Sequence, residues 1–310
     1  QMNLEPSIQI NLFGLENYLD ELINLYEKND LPNKIILSGQ KGSGKCTLAY
    51  HLINYILSKG EEFSYEKNEY KINENNRSFK LISNRTNINF NLIDVNKEKK
   101  FIDISQIRDL INNLNKSSLN DKPRFVLIDN IEFLNTNSIN ALLKIIEEPT
   151  KNVYFILINN NKKILPTLIS RCLNFRITLT HLDSIKIVKK LIKNNLLDEI
   201  NVDLINYYMT PGLIYNLYNF SKKNDIDLKE ISLKKFLMIL IKNDYFKKDD
   251  FIKFIIYDLI EYFLAKNAHL DIDNSIKNYT YFSRKIFNTK KFNLDQETLF
   301  MEFKSKLLNG

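Results

Sequence analysis

Cysteine, glycine and proline are scarce in this chain, which has 2 cysteines, 7 glycines and 6 prolines among 310 residues. The two cysteines, Cys46 and Cys172, form no C-x-x-C pair. This argues against a zinc ribbon or a disulfide framework and fits a reducing cytosol. Few glycines and prolines favour a helix-rich chain with few tight turns. The histidines, His51, His181 and His269, are far apart in the sequence, and we assign none of them a role.

Long apolar runs are also lacking. The most apolar helical segment, Phe251–Ala265, is short for a bilayer span and contains Lys253, Asp258 and Glu261. The segment Gln1–Leu4 has no basic region followed by an apolar core, so we expect no signal peptide. We therefore expect a cytoplasmic protein that does not interact with a membrane.

The charge of the chain is positive but dispersed. It carries 44 Lys+Arg and 37 Asp+Glu, a formal net charge of +7. A positive balance can attract nucleic acid, but a general bias toward Lys, Asn and Ile produces the same excess. The pairs Lys99-Lys100 and Lys162-Lys163 are the clusters that could contact nucleic acid, and a solvated surface explains them as well.

Strand and helix patterns alternate through the first 180 residues. Strands are predicted at Lys34–Ser38, Phe79–Ile82, Arg124–Asp129, Val153–Ile158 and Leu173–Ile177. Helices are predicted over residues 16–29, 45–58, 105–114 and 137–148, the last closed by Pro149. The polar residues 60–77 predict a surface insertion, and the polar stretch that follows Ile82 extends through Asn91. Alternation of this kind predicts a parallel sheet covered by helices.

The pattern changes after about Thr180, beyond which no convincing strand is predicted. Residues 183–221 predict a helical segment that is interrupted at Pro211-Gly212. Four further helices are predicted, at Leu233–Ile241, Phe251–Ala265, Ser275–Phe287 and Gln296–Leu308. We therefore divide the chain into an α/β domain over residues 1–178 and two smaller helical domains over residues 179–225 and 226–310.

A glycine-rich loop follows the first predicted strand and precedes a helix. The stretch Gly39–Cys46 matches G-x-x-x-x-G-K-[ST] except at its last position. A simple turn is the alternative, but the flanking strand and helix are the context that a phosphate-binding loop requires. The missing hydroxyl would coordinate Mg²⁺, which prefers hard oxygen ligands to a thiol. The candidate nucleotide-binding residues are Gly39, Gly42, Ser43, Gly44, Lys45, Cys46 and Thr47, although Thr47 lies one step further along the helix on another face.

A carboxylate follows the strand that ends at Ile128. Asp129 fits the aspartate that holds Mg²⁺ in phosphate-loop proteins, and a solvated aspartate at a strand end is the alternative. In hydrolysing proteins a glutamate comes next and activates water, but here the next residue is Asn130. An amide has no ionised oxygen to take a proton from water. We do not expect Glu132, two residues further, to substitute.

An arginine follows a short segment after the fourth of these strands, in Ser170-Arg171-Cys172. Held there, Arg171 could reach a γ-phosphate in a neighbouring subunit, as an arginine finger does. Such a finger raises the rate by on the order of 10³–10⁵ in GTPases. A surface salt bridge is the alternative for Arg171. We interpret Cys172 as a packed thiol.

Three blocks of the sequence, residues 39–49, 126–149 and 165–172, resemble the clamp-loader branch of the AAA+ ATPases. Within that branch they are most similar to the delta-prime family of bacterial DNA polymerase III subunits. The resemblance is specific over residues 10–180 and weaker afterwards. It implies an α/β AAA+ fold, with a phosphate loop and a parallel sheet with helices on both faces, followed by a small helical lid domain and an all-α collar domain for oligomerisation.

The resemblance also implies a role in catalysis. Hydrolysing members carry a loop hydroxyl, an acidic pair and a sensor-2 arginine after a lid glycine. This chain has Cys46, Asn130 and Leu213 at those positions and keeps Arg171. The combination is similar to delta-prime subunits, which do not hydrolyse ATP and offer their arginine in trans to the next subunit. The sensor-1 residue would lie in the Ile158–Asn160 segment, where our choice is Asn159.

The implied partners are gamma/tau-type and delta clamp-loader subunits, the sliding clamp, and primed DNA through the complex, within the DNA polymerase III holoenzyme. We expect no ATPase activity from the chain alone and no required cofactor, and weak ATP or ADP binding stays open. Zinc is not expected, since the four cysteines of the family's zinc module are absent. An active gamma/tau-type ATPase and another AAA+ protein that acts directly on DNA remain alternatives.

Overall fold

The protein is described by a computed structural model over residues 3–95, 101–116, 120–148, 152–193, 198–267 and 272–308. These residues form two compact units, one of residues 1–192 with 210–213 and one of residues 193–209 with 214–310. The three-domain division made from the sequence stays a prediction. Lys99-Lys100 and Pro149 lie outside the described residues.

The first unit contains a five-stranded parallel sheet with the strand order β2-β3-β4-β1-β5. The strands are β1 Lys34–Ser38, β2 Phe90–Ile93, β3 Arg124–Ile128, β4 Val153–Asn159 and β5 Leu173–Arg176. The helices are α1 Glu16–Glu27, α2 Lys45–Leu57, α3 Arg77–Ser83, α4 Ile104–Leu114, α5 Thr136–Glu147, α6 Pro166–Ile169 and α7 His181–Ile192. These elements confirm the predicted α/β class.

The central strands are apolar at nearly every position because both faces of the sheet are covered. On one face Ile35 and Leu37 of β1 belong to a core that also includes residues of α1 and α2. On the other face Ile36 belongs to a second core, to which α4 and α5 contribute. Successive side chains of a strand point to opposite faces, so each central strand supplies both cores. Packing on both faces therefore holds the strands in place, and with them the loops that follow their carboxyl ends.

The second unit is helical in the part that the structure describes. Its helices are α8 Pro211–Lys223, whose first residues belong to the first unit, α9 Leu233–Lys242, α10 Tyr245–Lys248, α11 Asp250–Asn267, α12 Ile272–Phe292 and α13 Gln296–Phe303, followed by a π-helical turn at Lys304–Leu308. Fully buried aromatic rings form much of its core, namely Phe236, Phe282, Phe300 and Phe303. No described helix is long and apolar enough to cross a bilayer.

The strand predicted at Phe79–Ile82 is wrong, because these residues lie in α3. Asn76 begins that helix by accepting a hydrogen bond from the Phe79 N–H at 2.7 Å, which is a strong helix-start signal. The strand on this side of the sheet is instead β2, within and just beyond the stretch that was predicted to be polar. Asn91 of β2 therefore stands in a strand although its side chain disfavours one.

The surface insertion predicted for residues 60–77 is wrong for its central residues. Tyr65, Ile72 and Asn76 are buried. Tyr65 contacts the ring of His51 at 2.8 Å, and the amide of Asn76 pairs with that of Asn54 at 3.2 and 3.4 Å. Buried polar groups that find partners make such a segment part of the core.

The helical segment predicted over residues 183–221 is interrupted between α7, which ends at Ile192, and α8, but not at Pro211-Gly212 as predicted, because Pro211 is the first residue of α8. Proline is well tolerated at the first position of a helix, where its missing N–H has no helical partner to lose.

Candidate nucleotide-binding site and arginine finger

Polar residues meet at the carboxyl edge of the sheet. The glycine-rich loop follows β1, Asp94 follows β2, Asp129 follows β3, and Asn159 ends β4. Ligands of open parallel sheets bind at this edge, since loops from neighbouring strands converge there. The order β2-β3-β4-β1 brings these four residues or loops together.

The loop has the backbone of a phosphate-binding loop. Gly42 and Gly44 have φ angles of 83° and 87°, in the left-handed region that favours glycine. Gly44 caps the N-terminus of α2, and Ser43 beside it is buried. The Gly39 N–H donates to the Asn159 carbonyl at 3.2 Å, which joins the loop to β4. The free N–H groups at the N-terminus of α2 can therefore attract an anion.

Lys45 is held by the loop itself. Its side chain is almost fully buried, and its Nζ donates to the Gln40 carbonyl at 2.7 Å and lies 3.4 Å from the Ser43 Oγ. Burial lowers the pKa of Lys45 to about 8, and the nearby carboxylates of Asp129 and Glu132 oppose this shift. The ammonium group is thus satisfied by contacts within the protein.

Residues 210–213 of the same unit lie against this loop. The Thr210 hydroxyl donates to the Lys41 carbonyl at 2.8 Å, and the Gly212 N–H donates to the Gly42 carbonyl at 2.9 Å. A Cβ at position 212 would lie 2.8 Å from the Cα of Gly42, so only glycine allows this approach. Leu213 follows, at the position where the family resemblance implies the sensor-2 arginine.

Cys46 and Asp129 stand at the two sequence positions where phosphate-loop proteins carry magnesium ligands. Burial, followed by the charge of Asp129, raises the pKa of Cys46 well above its ordinary value, so the thiol stays protonated. Burial, followed by repulsion from Asp94, raises the pKa of Asp129 to about 6. A protonated soft ligand beside a carboxylate that binds a proton easily does not suit Mg²⁺, a hard cation. Thr47 is half-buried one position further along α2.

Asn130 is hydrogen-bonded through both ends of its amide. Its Nδ2 donates to Asp94 Oδ1 at 2.9 Å, and its Oδ1 accepts from Asn160 Nδ2 at 2.9 Å. Asn160 Nδ2 also donates to Glu132 Oε1 at 2.9 Å. A glutamate at position 130 would bring a second carboxylate against Asp94, so the asparagine fits its surroundings.

Asn159, our choice for sensor 1, is buried and closes the loop after β4. Its Nδ2 donates to the Lys162 carbonyl at 3.1 Å, and its Oδ1 accepts from the Lys162 N–H at 3.2 Å. The assignment stays a prediction. Sequence reasoning missed Asp94 and the amide contacts of Asn160. Asp94 could be found only from its position at the end of β2, a strand that was not predicted.

Arg171 lies just after α6. It is far from the glycine-rich loop in the sequence but belongs to the same unit. Its Nε and Nη2 both contact Glu147 Oε1, at 2.8 and 2.7 Å. Its Nη1 donates to the Thr167 carbonyl at 2.8 Å, and the side chain is 36% exposed. Neighbouring Cys172 is half-buried, and burial raises its pKa to about 11. The arginine therefore has an intramolecular partner and a solvent-accessible guanidinium.

In the part of the chain that the structure describes, no group of three or more His, Cys, Asp or Glu side chains could hold a metal ion.

Comparison with known proteins identifies the family. A family model described as "DNA polymerase III, delta subunit" matches residues 14–181, more than half of the chain. The DNA polymerase III subunit delta' of Buchnera aphidicola subsp. Schizaphis graminum is 25% identical over 281 residues, covering 86% of this chain and 83% of that protein. The DNA polymerase III subunit gamma/tau of Mycoplasma genitalium is 29% identical over 286 residues, covering 88% of this chain and 45% of that protein.

A gamma subunit-related protein of Thermotoga maritima has a solved structure similar to this one. The TM-score is 0.49 at 17% identity, with 93% of this chain and 97% of that chain covered. The resemblance to the delta-prime family is confirmed, and so is an α/β fold with a parallel sheet and a helical C-terminal region in the described residues. The chain therefore belongs to the DNA polymerase III, delta subunit family.

Proposed function

We propose that the chain is a non-hydrolysing subunit of a cytoplasmic DNA polymerase III clamp loader. In this role it completes a pentamer with gamma/tau-type and delta subunits. It presents Arg171 to ATP bound by an adjacent gamma/tau-type subunit. The assembled loader then places the sliding clamp on primed DNA.

The observation that carries this proposal is the chemistry of the degenerate site. Hydrolysis needs a magnesium ligand after Lys45 and a base that activates water. Cys46 offers a thiol whose pKa is raised by burial, and the amide of Asn130 is hydrogen-bonded to Asp94 and Asn160. Neither group can perform those two steps.

The exposed guanidinium of Arg171 supports the second half of the proposal. A chain that hydrolyses its own ATP would be expected to keep the three catalytic residues that Cys46, Asn130 and Leu213 replace here. An arginine that acts in trans needs a held side chain and solvent access. Arg171 contacts Glu147 and the Thr167 carbonyl, and its side chain is 36% exposed. In this proposal the protein completes the pentamer and supplies the positive charge of Arg171, and the neighbouring subunits hydrolyse ATP.

No cofactor is required in this account. The residues around Asp129 do not fit magnesium, so we derive no step through a metal ion at this site. The N–H groups of the loop could still contact a phosphate weakly, with Lys45 exchanging its contact with Gln40 for the anion. Zinc has no role in the proposal.

The purified chain is expected to show no ATPase activity above background, because the magnesium ligand and the water-activating carboxylate are both replaced. The measurement is phosphate release with Mg²⁺ and ATP, for the wild type and for Lys45→Ala. Turnover that is abolished by Lys45→Ala would contradict the proposal and favour an active gamma/tau-type ATPase, the alternative that the similarity to the Mycoplasma protein supports. Turnover that persists in Lys45→Ala indicates a contaminating enzyme.

Membership of the assembly has its own test. The chain should form a stable complex when it is mixed with delta and gamma/tau subunits of a related loader, and native mass spectrometry should give one copy of it per complex. A chain that remains free at micromolar concentrations of all partners would argue against the proposal.

A further inference from the structure

We propose that Glu147, the last residue of α5, is a positioning residue for Arg171. It holds the guanidinium so that the remaining N–H of Nη2 is available to the phosphate of the neighbouring subunit. This inference rests on the proposed finger role of Arg171 and adds a second residue to it.

The contacts fix the guanidinium from two elements. Glu147 Oε1 accepts from both Nε and Nη2, which lie on one edge of the guanidinium plane. The Thr167 carbonyl in α6 accepts from Nη1 at 2.8 Å, and the Ser170 Oγ lies 3.4 Å from Nη1. A guanidinium has five N–H donors in a rigid fork. Among the described contacts, the second Nη2 N–H is unused, so the tip of the fork can still bind a phosphate oxygen.

The carboxylate itself is on a fixed element. Ile146, which precedes Glu147 in α5, is fully buried. Its carbonyl accepts a hydrogen bond from Lys34 Nζ at 2.9 Å, which ties the end of α5 to β1 in the sheet. Functional side chains are most accurately placed when their supporting residues lie on rigid elements. The contacts of Ile146 with β1 and of Glu147 with Arg171 therefore fix the guanidinium relative to the sheet.

Helix stability does not explain a glutamate at this position. The C-terminus of a helix carries partial negative charge and favours cations, yet α5 ends in Glu147 followed by Glu148. An exposed ion pair contributes little to folding on its own. The contact with Arg171 gives the carboxylate a function, because it restrains a long side chain that would otherwise sample many rotamers. Such restraint lowers the cost of orienting the group at the reacting phosphate.

The test uses the reconstituted loader with Glu147→Ala, Glu147→Gln and a matched control, Glu148→Ala. Glu147→Ala should lower kcat of DNA-stimulated ATP hydrolysis by about 10-fold and leave KM for ATP unchanged, because orientation and not binding is lost. Glu147→Gln keeps an oxygen acceptor and should recover most of the rate. Glu148→Ala removes the same charge one residue away and should match the wild type.

A second readout does not require the partners. In the isolated chain, NMR of the Arg171 Nε–H should show slow exchange with water in the wild type and fast exchange in Glu147→Ala. Unchanged exchange would show that the contact is not present in solution and would overturn the inference.

The outcomes separate this inference from the proposed function. If Arg171→Ala lowers turnover and Glu147→Ala does not, the positioning role is wrong and the finger role stands. If Glu147→Ala raises turnover, the carboxylate restrains the arginine against its use, and positioning is wrong as well. If Arg171→Ala itself leaves turnover unchanged, both roles fall.

Discussion

Replacing Arg171 with alanine is expected to lower ATP hydrolysis at the interface that it faces by about 10³-fold or more, as loss of an arginine finger does in GTPases. The guanidinium would stabilise charge that develops on the γ-phosphate, and alanine cannot replace that charge. The measurement is single-turnover hydrolysis by a reconstituted loader, with clamp loading on primed DNA measured in parallel. Clamp loading should be lost together with hydrolysis.

Two further variants sharpen this test. Arg176→Ala removes an exposed arginine from β5, close to Arg171 in the sequence, and should behave as the wild type. Arg171→Lys keeps the charge but loses the planar fork, so it should recover only part of the rate. Equal rates for the wild type and Arg171→Ala would remove the finger role.

Acid is expected to destabilise the wild type more than a His51→Gln variant, with a difference in the free energy of unfolding of about 3 kcal/mol between pH 7 and pH 4. His51 is fully buried, with Nδ1 at 2.8 Å from the Tyr65 hydroxyl and Nε2 at 3.1 Å from the Gln9 carbonyl. A carbonyl only accepts, so Nε2 carries the proton and Nδ1 accepts from Tyr65. Protonation of Nδ1 would break this arrangement.

The sign follows from the two pKa values of His51. Burial lowers the pKa of His51 to about 4 in the folded chain, from an ordinary value of 6.5. Between these values the unfolded chain binds more protons than the folded chain. The stabilising contribution of neutral His51 is therefore fully present above pH 6.5 and is lost as the pH falls toward 4. Asp129 acts in the opposite direction, since its raised pKa lets the folded chain bind a proton first as the pH falls below about 6.

Because these two groups oppose each other, the wild-type curve alone is not diagnostic. The comparison is made by urea unfolding of both proteins at several pH values, with the difference plotted against pH. Parallel curves for the wild type and His51→Gln would show that His51 is not buried in its neutral form.

The sequence predicted the parts of the site that depend on local pattern. The motif of the glycine loop is specific because a strand, Lys34–Ser38, precedes it and a helix from Lys45 follows it, and all three were predicted from neighbouring residues. The replacement of the hydroxyl by Cys46 and of the glutamate by Asn130 could be read directly. What those substitutions do could not, because the hydrogen bonds of Asn130 join residues from three different strand ends.

Two errors concern polar residues that do not lie in surface loops. Asn76 reads as a surface residue, yet it is buried and pairs with Asn54, and Asn91 is half-buried in β2. A single sequence gives no sign of which distant amide will satisfy a buried one. The missed strand then hid Asp94, whose charge helps to raise the pKa of Asp129.

The ion pair between Glu147 and Arg171 escaped prediction for the same reason. The two residues are 24 positions apart, Glu147 at the end of α5 and Arg171 just after α6, so only the folded chain brings them together. The sequence did leave Arg171 open to two interpretations, a finger or a surface salt bridge. The structure gives it a salt-bridge partner, Glu147, and leaves its side chain 36% exposed.

The most direct test is a structure of the reconstituted loader with a nucleotide analogue that mimics the γ-phosphate. The account predicts the analogue in the gamma/tau-type neighbour, with the Arg171 guanidinium within hydrogen-bond distance of the γ-phosphate position. A triphosphate with magnesium bound to Lys45 and Asp129 of this chain, with a water aligned for attack and Arg171 still facing solvent, would contradict it.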